Sequence, residues 1–221
     1  MKLNYRPEID GLRAIAIFLV FFYHANILLF GGETFSFFKG GYIGVDIFFV
    51  ISGYLITSII LKEYRTFSKF SFSNFYQRRV RRILPLLVLV TSISFPFAYK
   101  FLLPSDLIEF SKSAIYSLGF SSNFYFHYSG KGYGAEVSNL LPLLHTWSLS
   151  VEEQFYIIFP IFFYILYKFL RNYIIHIFIF GFILSLILAQ WATFTHPHFN
   201  FYFLPTRGWE ILAGSIIAYL E

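Results

Sequence analysis

The sequence predicts an all-α, polytopic membrane bundle, and three observations carry that prediction. Mean hydropathy is +0.63, and apolar residues make up 57% of the chain while only 13% are charged. A soluble domain would carry roughly 25% charged residues. Several apolar runs reach the roughly 20 residues that cross a bilayer as a helix. Those runs are continuous rather than alternating, which disfavours a transmembrane barrel.

Six spans are expected, at 12–30, 42–61, 83–101, 141–167, 173–193 and 207–220, within one membrane domain over 1–221. Residues 1–11 are short and polar and lack a small-x-small cleavage site, so the first span reads as a retained helix and not a signal peptide. Residues 102–126 are of intermediate polarity and read as an interfacial or re-entrant helix, capped by Ser105 or Asp106 after Pro104. Residues 129–139 form a polar, glycine-containing loop. The run from Trp209 is barely long enough to cross, so the chain is expected to be part of a larger membrane domain, incomplete at its C-terminus.

Lysine and arginine set the expected orientation. Residues 62–82 carry Lys62, Arg65, Lys69, Arg78, Arg79, Arg81 and Arg82, and the connection after the fourth span carries Lys168 and Arg171. The loop 31–41 carries only Lys39. The positive-inside rule then places the N-terminus, 62–82 and 168–172 in the cytoplasm, and 31–41, 100–140 and 194–206 outside. This topology accounts for the net charge of +5 without nucleic-acid binding. With no cysteine, thiolate nucleophiles, disulfides and Cys-based metal sites are excluded and the redox compartment stays undetermined. The 24% aromatic content, 32 Phe and 17 Tyr, suits lipid-facing surfaces and interfacial belts.

Ionisable groups within apolar spans point to function, because burying them in a membrane is costly. The segment LLHTWSLSVEEQFYIIFPIFFYIL holds His145, Ser148, Glu152, Glu153 and Gln154. On a continuous helix His145 and Glu152 would sit about 20° apart on one face, roughly 10 Å along the axis, with Ser148 and Tyr156 near that face and Gln154 opposite. In the first span Arg13 and His24 return to within about 20° of one face with a rise of about 16 Å, and Asp10 lies close to it. His24, deep in the apolar run, reads as functional. Arg13 reads equally as functional or as an arginine snorkelling to lipid phosphates. Asp46 either orients a loop or a partner cation or is a carboxylate favoured at a helix start. Gly41, Gly44 and Gly53 allow close helix packing.

In FYQRRVRRILP, Arg79 and Arg82, or Arg78 and Arg81, share a face at three-residue spacing. Guanidinium groups hold phosphate in bidentate fashion; the competing reading is a set of topology-setting charges on anionic lipid. Arg207 and Glu210 read as a structural ion pair. His196 and His198 are too few for a metal site, and no metal is expected.

Taken together, YRPEIDGLRAIAIFLVFFYHA, GGYIGVDIFFVISGYLI, FYQRRVRRILP, LLHTWSLSVEEQFYIIFP and RGWEILAG resemble, in order, the motifs of membrane-bound acyltransferase family 3, which O-acylates O-antigen and other cell-surface glycans. The likeness covers most of the chain and is weakest over 100–140. It implies an inner-membrane enzyme that moves an acyl group, usually acetyl, from cytoplasmic acyl-CoA to a sugar hydroxyl of lipopolysaccharide or a similar glycan, with no tightly bound cofactor. It implies that Arg13 and His24 match the family's Arg-x10-His motif. Arg79 and Arg82 match its Arg-x-x-Arg motif, linked to the donor. His145, Trp147, Ser148, Glu152 and Gln154 match the block before the fourth helix. The family's domain is longer, so an inactive truncated acyltransferase stays open beside the enzyme, as does a multi-pass transporter with a proton relay. The expected roles are His24 as general base or transient acyl carrier, with Glu152 orienting an imidazole or sharing its proton and His145 as second candidate base. Arg13, Arg79 and Arg82 would hold the donor, and Asp46, Trp147, Ser148 and Gln154 would support the site.

Overall fold

The computed structural model describes residues 6–25, 28–29, 33–34, 40–130 and 141–221. Of the predicted polar loop at 129–139, Ser129 ends a helix and Gly130 follows it, while 131–139 lie outside the described residues, as does most of the loop at 31–41 with Lys39. Nine α-helices are found among them: α1 (Pro7–Ala25), α2 (Ile43–Phe67), α3 (Phe72–Phe101), α4 (Pro104–Leu118), α5 (Ser122–Ser129), α6 (Thr146–Phe169), α7 (Ile174–Thr195), α8 (Pro197–Tyr202) and α9 (Leu204–Leu220). The only strand pairing described is a two-residue antiparallel contact, Leu28 with Thr34 and Leu29 with Glu33. The all-α membrane class therefore holds.

Four of the described helices are long and apolar enough to cross a membrane: α2, α3, α6, and α7 extended by the 3₁₀ turn Arg171–Tyr173. The other two expected spans are helical but fall short of that measure. α1 carries Glu8, Asp10 and Arg13 in its first two turns, and α9 has 17 residues. Large apolar side chains are exposed along the long helices, among them Phe18 and Phe21 of α1, Leu86 and Phe97 of α3, Ile157 and Ile165 of α6 and Phe180 and Phe194 of α7. Their solvent is lipid: exposed apolar surface of this extent has no place on a water-soluble monomer.

The charged segment 62–82 is not the expected loop. α2 continues to Phe67 and α3 begins at Phe72, so FYQRRVRRILP is helical throughout. Lysine and arginine are good helix formers whose stems lie along apolar neighbours, so charge does not end a helix here. The ends are set instead by Ser68, left-handed at φ 53°, and by Ser71, whose hydroxyl accepts from the Asn74 N–H at 3.4 Å. In the 102–126 segment neither Ser105 nor Asp106 caps the helix. Pro104 takes the first helical position, where its missing N–H has no partner to lose, and Leu103 precedes it. The segment then breaks at Gly119–Ser121, where Phe120 is left-handed at φ 51°, and α5 follows.

The chain forms two compact units. The first gathers Met1–Lys69, Leu170–Leu186 and Gly208–Glu221. Within it, small residues let backbones meet. A Cβ on Gly44 would lie 2.5 Å from the Ala16 carbonyl oxygen, and one on Gly53 would lie 1.8 Å from that of Ile211. Fully buried Ala16, Ile56, Ile60 and Ile211 fill the remaining space. The expected packing role of Gly41, Gly44 and Gly53 is thus met, and Gly214, whose Cβ would lie 1.9 Å from the Val50 oxygen, joins them.

The second unit comprises Phe70–Phe169 and Ile187–Arg207. Its interior is polar where α4, α5 and α6 meet. The hydroxyls of Ser117 and Thr146 lie 2.7 Å apart, Thr146 Oγ1 is 3.0 Å from Ser122 Oγ, and Ser122 Oγ is 2.8 Å from Ser150 Oγ. All four residues are buried. In lipid such hydroxyls serve as interhelical links, because no water can satisfy them.

Candidate functional site

The expected site residues fall into both units, and each set has its own geometry. In the first unit α1 holds Arg13 and His24 on one uninterrupted helix. Arg13 Nη1 lies 3.5 Å from Asp10 Oδ1, one turn earlier. His24 Nδ1 donates to the Val20 carbonyl at 2.8 Å. A neutral imidazole bound in this way carries its lone pair on Nε2, the nitrogen that can take a proton or an acyl group. The ring meets Tyr23 edge-on at 5.0 Å and is exposed. Asp46 sits in the first turn of α2, half-buried, where the helix dipole favours a carboxylate.

In the second unit α3 and α6 bring two motifs together. The Tyr76 hydroxyl donates to the Ile157 carbonyl at 2.8 Å and pins the helices. One turn on, the Arg79 guanidinium lies 4.5 Å from the centre of the Tyr156 ring and 5.6 Å from that of Phe75. The Tyr156 hydroxyl in turn donates to Glu152 Oε1. Arginine, phenol and carboxylate thus form one connected array. Tyr156 is 4% exposed, so the array is held at the edge of an apolar interior, where its electrostatics are strong. Arg82 is exposed.

His145 departs from the expected stripe. It lies in a turn before α6, which begins at Thr146, so the helical angle relating it to Glu152 does not extend to it. Its carbonyl accepts from the Ser148 hydroxyl at 3.2 Å, and its side chain is exposed. Trp147 is buried against Phe201, ring centres 4.4 Å apart, and the Arg207 guanidinium lies 6.0 Å from its ring. Gln154 faces away from Glu152 and builds a reciprocal amide contact. Its Nε2 donates to Asn123 Oδ1 at 2.8 Å and to the carbonyl of left-handed Phe120 at 3.0 Å, while Asn123 Nδ2 reaches the Tyr202 carbonyl at 3.1 Å. Gln154→Ala would leave these buried groups without a partner. It is expected to cost about 1–3 kcal/mol, read as a lower unfolding temperature of the purified protein, with Gln154→Glu also destabilising.

Two residues were not assigned a role from the sequence. Tyr156, noted only as lying near the face of Glu152, turns out to join it to Arg79. Glu153 is 6% exposed, its Oε1 has no hydrogen-bond partner, and Arg79 and Arg82 lie close enough for their charges to act on it. The adjacent carboxylates of a helix sit about 100° apart, so the face chosen for Glu152 left Glu153 on a different one, and it is Glu153 that is buried.

The sequence was then compared with known proteins. The family model of the acyltransferase domain matches residues 6–221. The chain is 36% identical over 223 residues to the peptidoglycan O-acetyltransferase OatA of Listeria monocytogenes, covering 98% of this chain and 34% of that protein. It is 34% identical over 220 residues to the O-acetyltransferase OatA of Staphylococcus aureus, covering 98% of this chain and 35% of that protein. The chain therefore spans about a third of the length of these curated relatives. No solved structure matches it.

Proposed function

Because the chain belongs to the acyltransferase domain family, we propose that it forms the membrane part of an O-acetyltransferase that moves an acetyl group from cytoplasmic acetyl-CoA to a hydroxyl of a cell-envelope glycan. The Listeria relative's name, peptidoglycan O-acetyltransferase, favours peptidoglycan over lipopolysaccharide as the acceptor. The N-terminus lies in the cytoplasm, and the protein resides in the cytoplasmic (inner) membrane, on the positive-inside argument.

The observation that carries this reading is the Arg79–Tyr156–Glu152 array. It joins the arginine motif to the carboxylate motif through one phenol. Arg79 and Arg82 hold donor phosphates, a task suited to the guanidinium fork. Glu152 fixes the phenol, and the phenol's face fixes Arg79. His24 acts through Nε2, the nitrogen left with the lone pair by the bond to Val20. The acceptor oxygen attacks the thioester carbonyl carbon, its proton passes to His24 Nε2, and the C–S bond breaks to release the thiolate. A covalent route through an acyl-imidazole uses the same nitrogen.

The reading is tested by comparing the O-acetyl content of purified envelope glycan, by mass spectrometry, from cells with and without the full-length gene. A gene-dependent acetyl mass shift supports it. An unchanged glycan, with the protein verified in the membrane, overturns it in favour of a transporter or an inactive copy. Arg79→Lys tests the donor side. It keeps the charge but loses the fork and the contact with Tyr156, so the KM for acetyl-CoA is expected to rise about tenfold with kcat changed little.

A further inference from the structure

At 15 residues α4 is too short to cross a bilayer, and its side chains sort onto three faces. Phe110, Ser113, Ala114 and Ser117 are buried in the second unit. Ile108, Ile115 and Leu118 form an exposed apolar face. Ser105, Glu109, Lys112 and Tyr116 recur at spacings of four, three and four, which is a further face of the helix and a polar one. A helix with an exposed apolar face beside a charged one lies along the membrane surface, the first in lipid and the second in water. Tyr116 therefore belongs to the water-facing side.

Tyr125 of α5 lies across that face and fixes it. Its ring stacks on Tyr116, with centres 5.1 Å apart and planes 25° from parallel, and its hydroxyl donates to Glu109 Oε2 at 2.7 Å. Lys112 Nζ donates to Glu109 Oε1 at 3.1 Å, which uses one of its three N–H groups. Burial, and then the bond to Glu109, hold the Tyr125 phenol above its ordinary range, so it stays a donor and the stack stays fixed at neutral pH. Tyr116 is 43% exposed: Tyr125 covers one side of its ring and the other is left to meet a ligand. The result is an aromatic platform edged by an ammonium and a carboxylate.

We propose that this face binds the sugar chain of the acceptor, one pyranose ring lying on Tyr116 and its hydroxyls meeting Lys112 and Glu109. A pyranose carries C–H groups on its face and hydroxyls at its rim. The C–H groups suit the negative face of an aromatic ring. Hydroxyls both donate and accept, so a carboxylate beside an ammonium matches them. α4 carries Asp106, Glu109 and Lys112, one negative charge in excess, which favours an uncharged sugar over an anionic lipid headgroup. The five motifs behind the acetyl-transfer reading lie elsewhere in the chain, so this face is free of the reacting groups. The positive-inside argument puts 100–140 outside, where an envelope glycan lies. That the sugar is the acceptor rests on the acetyl-transfer reading; that the face binds sugar does not.

The test uses the full-length protein in nanodiscs and chitotetraose as a soluble, neutral glycan. Calorimetry gives its affinity for wild type, Y116A, K112Q and Y116F. Wild type is expected to bind, Y116A or K112Q to bind about fivefold more weakly, and Y116F, which keeps the ring, to match wild type. No binding by wild type, or wild-type affinity in both Y116A and K112Q, overturns the proposal. Retention of phosphatidylglycerol, followed by native mass spectrometry, checks the lipid alternative: loss in Y116A with sugar binding unchanged assigns the face to a headgroup and equally overturns it. Should Y116A unfold, K112Q carries the test, because a largely exposed ion pair contributes little to stability. Acetyl transfer to the same sugar is followed in parallel. A raised acceptor KM in Y116A with kcat changed little supports the proposal. No transfer by wild type, beside sugar binding that depends on Tyr116, would sink the acetyl-transfer reading and leave the sugar face standing.

Discussion

Replacing His24 with alanine in the full-length protein is expected to lower acetyl transfer by about 10²–10⁴-fold, the usual worth of a positioned imidazole. An alcohol is a poor nucleophile toward a thioester unless its proton is removed as it attacks. His24 is placed for that task by a purely local device: the Nδ1 bond to Val20 O, four residues back, sets the tautomer and the ring orientation together. The side chain is exposed, so its removal is expected to change stability by no more than about 0.5 kcal/mol. The measurement is glycan acetylation per unit of membrane protein, with unfolding temperature as control. Activity at the wild-type level would remove His24 from the reaction. The two chemical routes separate in the wild type supplied with acetyl-CoA and no acceptor. An acyl-imidazole predicts a burst of free coenzyme A and an acetylated peptide containing residue 24, whereas a base predicts neither.

The largest effect on stability is expected at the crossing of α2 and α9. A Cβ at Gly214 would lie 1.9 Å from the Val50 carbonyl oxygen and 2.7 Å from the Tyr54 N, and one at Gly53 would lie 1.8 Å from the Ile211 oxygen. All three opposing atoms are backbone, so no side chain can turn aside and the helices themselves must separate. Overpacking costs about 1–3 kcal/mol where side chains can yield, and Gly214→Val belongs at or above the top of that range. Separation would also open the contact of the Ser215 hydroxyl with the Gly53 carbonyl, 3.4 Å in the native packing. The expected result is a marked fall in unfolding temperature and in membrane abundance. Normal values for both would mean that this crossing does not hold the first unit together.

Much of this architecture is legible in the sequence, and the particulars show why. Continuous apolar runs announce α2, α6 and α7 because lipid imposes length and composition together. Gly44 and Gly53 announce close crossings because few other reasons place glycine in a membrane helix. The start of α3 is not legible. The charges of 62–82 mark a connection between spans, whereas the helix starts within that stretch, at Phe72 behind the Ser71 cap. The start of α6 misleads in the opposite sense: LLHTW has apolar character, yet the turn at 142–145 leaves His145 outside the helix. The chemical constellation was visible as separate motifs. The phenol that joins two of them was not, since the pairing of Arg79 with Tyr156 spans residues far apart in the chain.

The hydroxyl ladder of Ser117, Thr146, Ser122 and Ser150 has a practical consequence. Its members answer one another's hydrogen-bonding needs inside the protein, so the attachment of α4 and α5 to α6 asks nothing of the surrounding medium. Stripping away lipid during extraction takes no partner from it. The three-helix assembly of α4, α5 and α6 is therefore expected to keep its shape in a micelle as in a bilayer, and is a sound place to mount a reporter or a crystallisation partner.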